Sequence, residues 1–181
     1  MNPMSRTRIE LPTSFLHTTE LPVRITDINY GGHLGNDKVL TLAHEARAGF
    51  LDSLGLEELA IGNGAGLIMA DAAIEYKAEA FYGDIIRVSI SVTNISRAGF
   101  DMVYLLQALR PGSVVTIAIV RTGMVCFDYG RKKVVSIPDA FRDALAANKN
   151  DPARRVRWGQ LFMVTDQPTD ARRVPKPTES E

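Results

Sequence analysis

Residues 26–56 read TDINYGGHLGNDKVLTLAHEARAGFLDSLGL, and the second half of this stretch decides the fold. Its apolar residues fall at 39, 42, 43, 46, 50 and 54, the spacing of a helix with one buried stripe. Asn36 or Asp37 is placed to cap the N-terminus, and Gly55 to stop the helix at C′. The first half, TDINYGGHLGND, holds three glycines, two asparagines, a histidine and two aspartates. It reads as a sharp turn and equally as a working loop.

Outward from the helix the grammar is that of strands. Upstream, from Thr18 to Ile25, Leu21, Val23 and Ile25 alternate with Glu20 and Arg24. Downstream, 66–76 is a strand. In IIRVSISVTNI the apolar residues 86, 88, 90 and 92 alternate with Arg87, Ser89, Ser91 and Thr93. Residues 100–109 follow across the short loop SRAG, so the two segments should form a hairpin. Residues 114–129 come after Arg110–Ser113 and are apolar on both faces at first, as in a central strand. Tyr129–Lys132 is a turn, and Pro138–Ala147 a short helix with proline at N1.

Strand, long helix, four antiparallel strands and a short helix make an α+β chain whose sheet must curl around the helix to bury its stripe. Such a single layer leaves a strand edge open, so a homo-oligomer, dimer or tetramer, is expected. Residues 1–17 read as an N-terminal arm, 18–147 as the domain, and 148–181 as a partly disordered C-terminal extension. In that extension Arg154, Arg155 and Arg157 read as a solvated basic segment, and Trp158 as packing back on the body.

Composition excludes several classes. Lys plus Arg and Asp plus Glu number 21 each, so no overall field draws the chain to nucleic acid or anionic membranes. No apolar run approaches a membrane span, and MNPMSRTRIELP has no apolar leader core, so a cytoplasmic protein is expected. The lone Cys126 lies mid-strand without a nearby histidine and reads as a buried thiol. Histidines at 17, 33 and 44 lack metal-ligand spacing, so no metal and no cofactor is expected. GNGAG at 62–66 lacks the lysine of a phosphate loop and reads as a flexible loop that could rim a substrate opening.

VRITDINYGGHLGNDKVLTLAHEAR resembles the opening of the hotdog-fold acyl-CoA thioesterases of the 4-hydroxybenzoyl-CoA thioesterase type. The likeness continues through AFYGDIIRVSISVTNI and covers about residues 18–145. It implies an antiparallel sheet wrapped around a long central helix, with active sites at a dimer interface. It further implies an acyl-CoA or acyl-carrier-protein substrate. Such loops commonly carry two aspartates one residue apart; Asp27 matches the first, whereas Asn29 stands at the second. His33 matches a histidine used by plant-type acyl-carrier-protein thioesterases, whose intervening asparagine is replaced here by Gly31. Asn36 matches a functional position of related bacterial enzymes, and Glu45 a glutamate often found on the central helix. The backbone N–H at the start of that helix polarises the thioester carbonyl in the family.

The residue chemistry agrees in part. Thioester hydrolysis needs an activated water and donors for the developing oxyanion, which free N–H groups at a helix N-terminus suit. Gly32 and Gly35, with Gly31, let the backbone come close to a ligand. Asn29 has no useful basicity but can hold a water or carbonyl, leaving His33, Asp27 or Glu45 as the base. Glu45 could instead pair with Arg47 or Lys38, and His44 reads as an interface residue. Asp71, in an apolar strand, needs a partner if buried and could face the site from the second subunit. A non-hydrolytic acyl-CoA-binding module and a hydratase or dehydratase of the same fold are the competing readings.

Overall fold

The computed structural model describes residues 8–150 and the strand residues 156–157. In chain order the elements are β1 (Ser14–Phe15), β2 (His17–Pro22), α1 (Asn36–Ser53), β3 (Ala65–Tyr76), β4 (Ile85–Thr93), β5 (Gly99–Arg110), β6 (Ser113–Asp128), β7 (Lys133–Val134), α2 (Asp139–Asn150) and β8 (Val156–Arg157). The main sheet runs β2-β4-β5-β6-β3, all antiparallel, with β7 on β6; β1 and β8 form a separate pair. Helix α1 touches β2, β4 and β6, so the sheet curls around it as the sequence requires.

The helix buries Val39, Leu42, Ala43, Ala46, Phe50 and Leu51 against the sheet. Facing them are Ile86, Val88, Ile90 and Val92 of β4, registered opposite Ala108, Leu106, Tyr104 and Met102 of β5. At the helix end Gly55 sits at φ +70°, its N–H on Asp52 O and the Leu56 N–H on Leu51 O. These are the two bonds of a Schellman stop, as expected from Gly55. The start differs from expectation. Gly35, not Asn36 or Asp37, is the N-cap, with no side-chain cap bond, and Asn36 is already helical. The physical reason is the incoming chain, whose Gly35 N–H is held by Asp27 O at 2.8 Å. Helix α2 begins at Asp139 and reaches Asn150, so Pro138 precedes the helix instead of opening it.

The second face of the sheet is covered too. Ile9, Leu11 and Phe15 pack over Val103, Leu105, Ile119 and Ala73. The stretch before residue 18 is therefore not irregular throughout: Ser14–Phe15 is strand, and Ile9, Phe15 and Leu16 are buried. Ser89 and Ser91, expected on a polar face of β4, are buried as well, with Gln107 beside them on the same side of the sheet. Beyond residue 150 only the backbone of Val156–Arg157 is described, so the readings of Arg154, Arg155 and Trp158 lie outside the described residues. No helix among the described residues is long and apolar enough to cross a membrane.

One charge lies inside. Arg47 is 4% exposed, and its guanidinium meets Glu58 at 2.7 Å, so it is not the surface partner of Glu45. His44 contacts the other oxygen of Glu58 at 3.1 Å. Beneath them the Tyr104 hydroxyl shares a hydrogen bond with Thr122, and burial pushes the phenol above its ordinary pKa. Removing one partner of a buried pair leaves the other charge uncompensated. Glu58→Ala should therefore lower unfolding stability by about 3 kcal/mol, read from the urea midpoint at unchanged m-value.

Candidate functional site

The loop before α1 is built by its own side chains. Asn29 Oδ1 accepts the Gly31 N–H at 2.8 Å, and the Gly32 N–H reaches Asn29 O at 3.0 Å, closing a tight turn with Gly32 at φ +77°. The Asn29 N–H bonds His33 O, and the Leu34 N–H bonds Ala80 O, tying the loop to the segment that follows β3. A cavity of about 440 Å³ opens between these two pieces of chain. Its walls are Asn29, His33 and Leu34 of the loop, Asn36 and Val39 of α1, Tyr76 to Ala80 after β3, and Ile117 of β6.

With its oxygen fixed by Gly31, the Asn29 amide turns its Nδ2 towards His33 Nδ1, 3.4 Å away. The same Nδ1 lies 3.2 Å from Leu34 O, and His33 Nε2 lies 3.7 Å from a Glu79 carboxylate oxygen. The Tyr76 hydroxyl donates to Asn36 O at 3.0 Å; burial, with the charge of Asp37, raises its pKa and keeps it a donor. Because α1 starts without a side-chain cap, the N–H groups of Asn36 and Asp37 have no acceptor among the described residues. With the helix dipole behind them they make the start of α1 receptive to an anion, and of the two residues Asn36 lines the cavity.

Of the residues that the sequence offers as site members, Asn29, His33 and Asn36 come together here. The others stand elsewhere. The Asp27 carboxylate accepts the Arg24 N–H at 2.8 Å within the short turn Ile25–Asp27. Glu45 is 3.5 Å from Arg24, a different partner from the Lys38 or Arg47 expected. Asp71 pairs with Arg121 at 2.6 Å, which also holds Asp101 at 3.1 Å, away from the cavity. Gly32 shapes the turn. Gly35 leaves room: a Cβ there would meet the Asp37 carboxylate at 2.6 Å. His44 is exposed beside Glu58. GNGAG is a tight turn with Gly62, Asn63 and Gly64 at positive φ and does not line the cavity.

Sequence reasoning missed Tyr76, Lys77 and Glu79. The end of β3 carries no motif, and only its antiparallel run beside β6 returns it to the loop. Cys126 is fully buried, and burial pushes its thiol up to about 11, so it stays protonated and inert. Among the described residues no group of three or more His, Cys, Asp or Glu is placed to hold a metal.

The family described as Thioesterase-like superfamily matches residues 23–145. Among solved structures, a 1,4-dihydroxy-2-naphthoyl-CoA thioesterase from Synechocystis aligns at 25% identity and a TM-score of 0.67, over 76% of this chain and 99% of that one. A gentisyl-coenzyme A thioesterase aligns at 21% identity and 0.61, over 71% and 98%. The Dynemicin thioesterase aligns at 20% and 0.66, over 73% and 96%. No curated protein matches the chain.

The close approach at Gly31 gives a test of the loop. A Cβ there would lie 2.7 Å from His33 Nε2 and 3.2 Å from Asn29 Oδ1. The histidine is a half-buried side chain that can swing, so strain is relieved by moving it, at a cost below about 1 kcal/mol. Gly31→Ala should leave the melting temperature within a few degrees while shifting the His33 ring resonances in NMR. An unmoved ring would refute the stacking of His33 over Gly31.

Proposed function

We infer the chemistry from one premise: the chain belongs to the thioesterase-like superfamily. It is an enzyme of thioester hydrolysis, yielding a free acid and a thiol. Its substrate is an acyl group carried on coenzyme A or on acyl carrier protein, and the reaction consumes water without a cofactor. The observation that carries this reading is the meeting of Asn29, His33 and the uncapped start of α1 on one cavity.

The thioester carbonyl oxygen lies against the N–H groups of Asn36 and Asp37, where the charge that develops during attack is met by fixed dipoles. Gly35 does not serve as a donor, since its N–H is bound to Asp27 O. Asn29 and His33 line the wall against which the attacking water and the carbonyl lie. Of the three groups that the sequence offers as the base, His33 alone borders the cavity. Water oxygen bonds to the carbonyl carbon, the C–S bond breaks, and the thiolate takes up a proton.

The site completes itself against a second copy. Among the described residues strand β3 pairs with β6 alone, which leaves its other edge open, and Tyr76 at its end lines the cavity. Pairing two such edges closes both sheets and brings the cavities to the interface, in a dimer or a pair of dimers. Balanced charge and a single buried thiol suit a cytoplasmic setting.

Thiol release from acyl-CoAs of varied chain length and aromaticity is the direct test, and the inert Cys126 leaves the thiol assay clean. We expect His33→Ala to lower kcat about 100-fold with unchanged melting. Asn29→Asp should lower it as well, because a carboxylate cannot donate to His33. A gain with Asn29→Asp would favour a binding module in place of a hydrolase. Sedimentation equilibrium should give at least twice the chain mass of 19.9 kDa; a monomer would remove the interface site.

A further inference from the structure

We propose that Glu79 is the general base of this hydrolysis, aimed by His33 and Asn29; the assignment rests on the thioesterase reading. Where the loop offers an amide at position 29, a carboxylate reaches the same cavity from the far side, on the segment after β3. Among the described residues Glu79 is the single carboxylate lining that cavity. The neighbouring acids are committed elsewhere: Asp27 to the Arg24 N–H, Glu45 to Arg24, and Glu75 to Lys77 and the Ile9 N–H.

The order of groups fixes the roles. Gly31 N–H holds Asn29 Oδ1, which leaves Nδ2 as the donor facing His33 Nδ1. Nδ1 stands between this donor and the Leu34 carbonyl, 3.2 Å away; where it accepts from Asn29, the imidazole proton is on Nε2, which faces Glu79 Oε1 at 3.7 Å. In this tautomer His33 has no free lone pair for the water. It acts as a positioning residue that holds one carboxylate oxygen. The other oxygen of Glu79, whose side chain is 64% exposed, remains open to a water in the cavity. As the water oxygen bonds to the thioester carbon, Glu79 takes its proton. When the C–S bond breaks, the carboxylic acid returns that proton to the departing sulfur, giving the thiol and the free acid. In this tautomer the Asn29 amide is the donor at that place.

The exposed Glu79 side chain carries no packing, and its backbone carbonyl, which accepts from Arg110, is untouched by substitution. The experiment compares wild-type protein with Glu79→Gln, Glu79→Ala, His33→Ala and Glu79→Gln/His33→Ala on an acyl-CoA that wild type hydrolyses. Glu79→Gln should lose about 100-fold or more in kcat with KM within threefold. The double variant should be no slower than the slower single, since the two residues act as one unit. Formate added to Glu79→Ala should restore part of kcat, which a structural role would not allow. An active wild type with Glu79→Gln within threefold of it, or a Glu79→Ala that formate leaves unchanged, overturns the assignment alone. A wild type that hydrolyses no acyl-CoA overturns the hydrolysis reading and the assignment together.

Discussion

The burial of the stripe on α1 constrains everything else. A lone helix of this length is marginal in water and is held by what covers it. Ala43 and Ala46 are fully buried, so the helix axis comes close to the sheet at its middle while Leu42, Phe50 and Leu51 fill the flanks. Each large side chain moved out of water contributes about 1.5–3 kcal/mol, enough to dictate how far the sheet must wrap. The wrapping in turn fixes where the helix starts, and the start of the helix is one wall of the cavity.

The polar groups at that wall follow from a backbone decision. Because the Gly35 N–H is bound to Asp27 O, the chain enters α1 at an angle that leaves the next two amides without acceptors among the described residues. A serine or aspartate cap would have satisfied one of them and filled the same space. The uncapped helix costs some stability and leaves donors aimed at the cavity. Arg47 shows the opposite economy: a guanidinium taken out of water with one carboxylate to meet it, and one nitrogen of its fork left without a partner.

Much of this was legible in the sequence, for identifiable reasons. The helix from Asn36 and its stop at Gly55 follow from a 3.6-residue period and a left-handed glycine. The β4–β5 hairpin follows from strict alternation around SRAG. The covered outer face was not legible, because Ser89 and Ser91 alternate with apolar residues as a solvent-facing row would but are small enough to bury. Ile9, Leu11 and Phe15 gave no period to follow among their prolines. In the site, Asn29, His33 and Asn36 share one short loop and could be read together. Tyr76 and Glu79 could not, since only the register of β3 on β6 carries them there.

The seat of the N-terminal segment has a consequence for the order in which the molecule comes into being. Ile9 and Phe15 are synthesised before Val103, Leu105 and Ile119, on which they rest. Until β5 and β6 exist, those apolar side chains have no place to go, and the nascent chain must carry them exposed. Closing the back of the sheet therefore follows the making of β5 and β6, for which the segment around Ile9 must wait.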